Sequence, residues 1–552
     1  MADGNSRRSF FVKSKREEAA ISKHRNSPTL MMLVLIAALG AIFYASFIFN
    51  PENKGDVLPF TLVLIAETFL IVQVLLSLWT ILAASDDPRP FKFHQNQSRL
   101  FGNKRNVIDR IMMHNETAPQ RQQLYLDGEK ISIDVFVTVY GEEIETISQT
   151  VTAARNMVGL HNTYILDDGD SDEVKSLAKR LEVGYVRRTD KRGAKAGNIN
   201  NALAVTKGRY FAVFDADFVP DQLFLYETIP FFEDKDIAFV QTPQHYDNMN
   251  NLLTRGAGFM QHVFYSLIMT GKNRFNAAFC VGTNVVFRRS AINEIGGIYS
   301  QSKSEDIWTS VKLHELGYKS VYIPNVLAAG KTPENIVSYA KQQLRWATGG
   351  FELLFRFRPL ARKKLTLDQR IQYFGTSIYY FNGMAVLLLL LLPPLQIYFN
   401  LTPVDLQTTP LTWLIYYSSF YIMQILIAFY VMGGFKLETL ILATATFPVY
   451  IKAFFNALRK KDQKWEATGA AGNQASPFMV IHTQTYMFIF LLLTSVVGIW
   501  KSIYTDELSV SLFWNIINTF VFGSFFFVAI KEASQIKKQS RKKSITLKEV
   551  TT

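Results

Sequence analysis

Cysteine is almost missing from this chain: Cys280 is the only one in 552 residues. That excludes an intrachain disulfide and any Cys-x-x-Cys metal site. The eight histidines are scattered without ligand spacing, so structural zinc is not expected either. Charge is sparse as well. Asp, Glu, Lys and Arg make up 19% of the residues against 49% hydrophobic and 14% aromatic, which places much of the sequence in lipid rather than in soluble cores. The formal charge is +13, yet the basic residues gather in the flanks, at Arg7, Arg8, Lys13, Lys15 and Arg16 and again at Lys537, Lys538, Arg541, Lys542 and Lys543. No basic patch is interleaved with aromatics, so the pattern suits anionic lipid headgroups and not nucleic acid. The first apolar run also lacks a small-residue cleavage site and reads as an anchor, not a signal peptide.

Long apolar runs are what the chain has in plenty. Residues 30–49 and 58–83 form an expected membrane hairpin (30–83) behind a basic cytoplasmic N-terminus (1–29). Glu67 lies inside the second run, where an acid is costly, and is expected to pair with another helix. Further spans fall at 373–395, 411–432, 486–503 and 512–530, within a C-terminal membrane region (372–531) ahead of a basic tail (532–552). The apolar stretch 435–455 is interrupted by Lys436, Glu438, Pro448 and Lys452 and is followed by Arg459, Lys460 and Lys461. Taking it as interfacial or re-entrant gives six spans and keeps the termini, the insert and this basic cluster on the cytoplasmic side, as the positive-inside rule prefers. Seven spans is the alternative.

Between the two membrane regions, residues 84–130 are polar, broken at Asp86-Asp87-Pro88-Arg89-Pro90, and expected to connect at the membrane surface. Residues 131–371 then alternate strands (131–139, 163–166, 184–187, 210–217) with helices (146–157 first), the pattern of an α/β domain. The run from Tyr210 ends in Asp215 and Asp217, two carboxylates at the C-terminal end of a buried strand, where α/β sheets place ligand sites. Such oxygens suit Mg²⁺ or Mn²⁺. Another strand ends at Asp167-Asp168-Gly169. In the 192–200 segment, Gly193 and Gly197 permit close backbone approach while Lys195 offers a donor to phosphate or sugar oxygens. Ser302-Lys303-Ser304-Glu305 has capping-box spacing, which puts Asp306 in the first turn of a helix running to Leu316. The helix dipole there favours an ionised acid. Gln342, Arg345 and Trp346 share a helical face; Arg345 suits a bidentate grip on diphosphate and Trp346 offers a flat surface for a sugar.

Six motifs in order, Asp167-Asp168-Gly169, Lys195 to Asn200, Asp215-Ala216-Asp217, Val240 to Gln244, Ser304-Glu305-Asp306 and Gln342-x-x-Arg345-Trp346, resemble the catalytic domain of the cellulose synthase branch of processive family 2 glycosyltransferases. The resemblance covers 131–357 closely and the C-terminal membrane region more loosely. It implies an α/β domain of GT-A type inserted in an α-helical transmembrane bundle, in the plasma or inner membrane with its catalytic domain cytoplasmic. It further implies inverting, processive transfer from a UDP-sugar, UDP-glucose by this likeness, to a growing β-glucan that passes through the protein's own helices. By the same resemblance Asp306 is the base, and Asp215 and Asp217 hold Mg²⁺ or Mn²⁺. Asp167, Asp168, Lys195, Gln342 and Arg345 join them in binding the donor, and Trp346, Glu305, Cys280, Gly282 and Thr283 line the acceptor side. The 277–283 segment departs from the family pattern, with its cysteine one position early and Thr283 for Ser. Product identity therefore stays open among cellulose-like glucan, β-1,3-glucan, mixed-linkage glucan, hyaluronan and poly-N-acetylglucosamine. A loop near 464–477 resembles the family's gating loop, with Trp465 and Thr468 closing over the donor and Ala470 where the family has Lys. The short tail resembles no cyclic-dinucleotide-binding domain, so regulation by that route is not expected. Expected partners are the UDP-sugar, the growing chain, lipids and an accessory export subunit or second copy. A transporter with a soluble insert is the rival class; it predicts repeats that the sequence does not show.

Overall fold

A computed structural model describes residues 27–84, 88–102, 119–302, 304–405, 410–459, 475–507 and 509–551, with backbone only at 410 and 539–551. The chain starts with α1 (Pro28–Ile48), opened by Ser27 as N-cap with Pro28 in the first turn, and turns back through α2 (Val57–Leu82). Glu67 on α2 is buried and accepts a 2.6 Å hydrogen bond from Tyr421 Oη, so it does pair with another helix.

The inserted domain is built on a seven-stranded sheet of β1 (Ile133–Val139), β2 (Asn162–Asp167), β3 (Gly184–Arg187), β4 (Tyr210–Asp215), β5 (Ile237–Gln241), β6 (Val285–Arg288) and β7 (Lys319–Tyr322). Their order is β7-β5-β6-β4-β1-β2-β3, all parallel except β6, which runs antiparallel between β4 and β5. The central strands β1, β4 and β5 are buried on both faces, which is why they read as continuous apolar runs rather than alternating ones. Val135, Val137 and Phe214 enter one core, Phe136, Phe211 and Val213 the other.

Two segments differ from the sequence expectation. The stretch before residue 131 is more than a surface connector: a helix, α3 (Phe91–Arg99), carries Phe93 against Phe231, and Leu100, Phe101, Leu124 and Leu126 join the sheet's larger core. Isolated apolar anchors leave no periodicity to read. The capping box also fails to form. The helix Glu305–Glu315 has Ser304, not Ser302, as its N-cap, with no side-chain cap bond, while Ser302 Oγ donates to Glu352 and accepts from Ser304 N–H. Asp306 nevertheless falls in the first turn as expected.

The remaining labelled helices of the insert are α4 (Ala194–Val205), α5 (Leu252–Val263), α6 (Thr270–Arg274), α7 (Glu305–Glu315), α8 (Ile336–Glu352) and α9 (Leu367–Ile378). Tyr373, expected to open a span, falls within the candidate span Leu367–Phe399 and is fully buried, with its hydroxyl bonded to His314 Nδ1 at 2.8 Å. Then come α10 (Asn382–Phe399), α11 (Pro410–Met432), α12 (Leu437–Ala445), α13 (Phe447–Leu458), α14 (His482–Thr505) and α15 (Val510–Thr551). Among the described residues, seven helical stretches are long and apolar enough to cross a membrane, Leu437–Leu458 included. That stretch is broken at Thr446, and its halves pack on α5 and α8 of the insert.

Candidate active site

Asp215 ends β4, and three neighbours fix it. Its backbone N–H donates to Thr283 Oγ1 at 2.9 Å, Thr138 Oγ1 donates to its Oδ1 at 3.0 Å, and Lys195 Nζ, in the first turn of α4, bonds the same oxygen. Lys195 also donates to the Gly282 carbonyl at 2.7 Å. Burial works against the Lys195 charge, but Asp215 and Glu305 beside it more than offset that and raise its pKa. Asp217 is pushed up to about 7, first by burial and then by the charges of Asp215 and Glu142.

The sequence reading missed Glu142. It sits on the loop after β1, half-buried, with its Oε2 accepting from Tyr140 N–H at 2.7 Å. Among the described residues no cluster of three or more His, Cys, Asp or Glu could hold a metal by itself. Two carboxylates one residue apart do fit a divalent ion that draws its other ligands from a diphosphate.

The two acids after β2 have different work. Both oxygens of Asp167 are engaged, taking N–H bonds from Gly169, Asp170 and Ser171 at 2.8 to 3.1 Å and the Tyr185 hydroxyl at 2.7 Å. Asp167 thus shapes the loop rather than reaching outward. Asp168 is held bidentately by Arg188, Nε to Oδ1 and Nη2 to Oδ2, both at 2.7 Å. The same guanidinium donates to the carbonyls of Arg192 and Ala194, so it ties Asp168 to the loop that delivers Lys195. Nothing in the local sequence marks Arg188, because its partners are distant until the loop folds back.

Asp306 and Glu305 start α7 together. Asp306 Oδ1 accepts from Ile307 N–H at 2.8 Å, which favours its ionised form, while burial raises its pKa. Glu305 is pushed up to about 7 by burial and by Asp306, with Lys195 and Arg345 opposing. Gly282 lies beside this pair in a left-handed conformation (φ 86°), and a Cβ there would stand 3.6 Å from both Asp306 Oδ2 and Lys195 Nζ. Any side chain would enter the gap between acid and lysine.

Cys280 and Thr283 do not face that gap. Cys280 is 2% exposed within the second core, its thiol within reach of the charges of Asp306, Lys195 and Glu305, and Thr283 is fully buried beneath Asp215, while their neighbours Phe279 and Val281 line the cavity that Asp306 borders. Gln241, from the Val240 to Gln244 motif, braces this loop: its Oε1 accepts from Val281 N–H and its Nε2 donates to the Thr283 carbonyl.

Gln342, Arg345 and Trp346 share one partly exposed face of α8, and Gln343 behind them accepts from Tyr450 Oη on α13. A cavity of about 300 Å³ runs from Asp306, Gln342 and Trp346 to Gln73, Ser77 and Thr80 of α2. Tyr379 and Tyr380 line it, whereas Tyr416 stacks on Phe43 and Phe47 of α1, and Trp413 stacks on Tyr417 away from the cavity. Trp465 and Thr468, and the gating-loop reading with them, lie outside the described residues.

The carboxylates thus gather at the C-terminal end of a central strand, near a cavity that reaches the apolar helix α2. Residues 210–433 match the family Glycosyl transferase family group 2. Over its catalytic region it is similar to bacterial cellulose synthase catalytic subunits [UDP-forming]. It is 35% identical over 271 residues to that of Pseudomonas fluorescens (48% of this chain, 37% of the relative) and 34% over 262 residues to that of Xanthomonas axonopodis pv. citri (46% and 36%). The chain thus spans under two fifths of the length of these relatives. Among solved structures, a mannosyltransferase from Pyrobaculum calidifontis in complex with GDP-Man and Mn²⁺ overlaps 73% of this chain and 100% of its own, at 16% identity and TM-score 0.47.

Proposed function

We propose that this chain is a UDP-sugar-dependent, inverting, processive glycosyltransferase that builds a cellulose-like β-glucan from UDP-glucose and feeds it into its own membrane helices. The observation that carries the reading is the shared wall: Asp306 and the α2 residues Gln73, Ser77 and Thr80 border one cavity. A polysaccharide is too polar to cross hydrocarbon unaided, so a synthase needs such a path.

In this mechanism Asp306 takes the proton from the attacking hydroxyl, and Trp346 presents its face to the acceptor sugar. Lys195 and Arg345 bring positive charge to the donor diphosphate, and Asp168 contacts the uridine. Asp215 and Asp217 would hold Mg²⁺ or Mn²⁺, which supplies neutralisation of the departing diphosphate. The catalytic domain faces the cytoplasm of a plasma or inner membrane, with Leu437–Leu458 interfacial and six true spans. An accessory export subunit or a second copy would complete the assembly.

The test is reconstitution in sealed vesicles with the active site outward, offered UDP-glucose, UDP-N-acetylglucosamine or UDP-glucuronate with Mg²⁺ or Mn²⁺. UDP-glucose should give a polymer that β-1,4-specific glycosidase digests only after the membrane is opened. Asp217→Ala or a chelator should abolish it. Undiminished synthesis by Asp217→Ala in chelator would overturn the metal site, and full digestion outside intact vesicles would leave translocation to a partner.

A further inference from the structure

Glu532 stands on α15 just past the last apolar run (512–530), 196 residues from the start of α8, yet the two helices meet through it. Both of its carboxylate oxygens accept from the Ile336 N–H, Oε2 at 3.0 Å and Oε1 at 3.3 Å. Ile336 is the first residue of α8, and its N–H is among those that a helix leaves without an internal partner at its start. Asn335 serves a different one, its side chain accepting from Ser338 N–H at 2.8 Å. Ile336 is 1% exposed, so solvent does not serve the amide that Glu532 takes. A carboxylate at this end also suits the helix dipole.

The bond matters because of what α8 carries. Gln342 and Trp346 follow Ile336 by about 9 and 15 Å along a helix that rises 1.5 Å per residue. The far end of α8 is fixed separately, by Phe351 among Phe381 and Phe454 and by Gln343 under Tyr450. At the near end Ile336 and Tyr339 share an apolar cluster with Val521, Phe525 and Ala529 of α15, a contact without direction. The hydrogen bond supplies the direction, and fastening both ends sets the tilt of α8. A displacement of about 1 Å at a positioned group can cost on the order of a hundredfold in rate.

We propose that Glu532 is a positioning residue for transfer: from the last apolar helix it holds the start of α8 so that Gln342, Arg345 and Trp346 meet donor and acceptor in line with Asp306. This assignment rests on the polymerase reading above. Glu532 does not line the cavity, so it acts through α8 alone. On that reading the donor keeps its grips on the sheet side, at Asp168, Lys195 and the Asp215 and Asp217 pair. Loss of the anchor therefore slows transfer far more than it weakens donor binding.

Full-length protein in lipid nanodiscs, given labelled UDP-glucose and Mg²⁺, tests this with Glu532→Leu, which removes the acceptor, and Glu532→Gln, which keeps one oxygen for the Ile336 N–H. Glu532→Leu should lower kcat about tenfold with UDP-glucose affinity within about twofold of the parent, and Glu532→Gln should bring kcat back to within about threefold. A kcat for Glu532→Leu within about twofold of the parent would overturn the assignment, as would Glu532→Gln being equally slow. A loss of UDP-glucose affinity as large as the loss of kcat would also overturn it, since the contact would then be structural only. Should Glu532→Leu fail gel filtration, Glu532→Asp decides: its carboxylate is one methylene short, so kcat should fall about fivefold with donor affinity kept, and a kcat within about twofold of the parent overturns the anchor. Parent protein that makes no polymer from any UDP-sugar would sink the polymerase reading instead. Amide hydrogen exchange over residues 336–341 then judges the anchor: about tenfold faster in Glu532→Leu and near the parent rate in Glu532→Gln supports it, and equal rates in all three overturn it.

Discussion

Asp306 lies where opposing effects meet: burial raises its pKa, while the Ile307 amide and the charges of Arg345 and Lys195 lower it. On the proposed mechanism Asp306→Asn keeps the shape and loses the base, so transfer should fall about a hundredfold or more with donor binding retained, as a titration of UDP-glucose would show. Loss of binding along with turnover would assign Asp306 to the donor site. The pH dependence follows in sign. A base must be ionised, and Glu305 at about 7 with a raised Asp306 hold protons longer than free carboxylates, so activity should climb as pH rises through the neutral range. A flat profile between pH 6 and 8 (about two units across neutrality) would contradict the pair's shared burial. Thr283 works from beneath. Thr283→Val removes the acceptor for Asp215 N–H and should cost about 1–3 kcal/mol in unfolding free energy, because a buried donor is left unmet.

Elements meet the insert where small residues let backbones touch. Gly271 on α6 faces the Thr80 carbonyl, and the contact is backbone rather than the flexible end of a side chain. Gly271→Ala must push α6 off α2, at about 1–3 kcal/mol, and should lower the melting temperature and the yield of polymer together. A melting temperature equal to the parent's would mean that this junction is looser than its geometry. The α8–α13 contact has a different character: Phe351 packs among Phe381 and Phe454, and Tyr450 reaches Gln343. The Gln342 to Trp346 face is thereby backed by a helix that the sequence had shown only as a broken apolar stretch.

For the molecule as a whole, the number of crossings turns on Leu437–Leu458. Leu437–Leu458 has the length and composition of a span, but its two halves pack on α5 and α8 of the insert. An interfacial placement leaves Arg459 on the cytoplasmic side. Arg459→Cys, with the native Cys280 buried and unreactive, should therefore be modified by a membrane-impermeant maleimide only from the side that also reaches the insert. Labelling from the opposite side would establish seven crossings.

The sequence by itself determined the α/β insert, the pair of apolar helices before it, Asp215 at a strand end and Asp306 in a first helical turn, because strand ends, helix starts and apolar runs are local features with local signatures; that these residues and Lys195 share one site came from the family likeness. Tertiary structure alone decided what supports them. Arg188, Gln241, Thr138 and Glu142 meet their partners across loops and neighbouring strands, as Arg188 does 20 residues from Asp168 and Gln241 some 40 from Val281. The same holds for Thr283, which the segment's likeness placed at the acceptor and the fold put under Asp215. A motif records which residues are near in the chain, whereas the face each one turns to the cavity is fixed only when the sheet, α7 and α8 close around it.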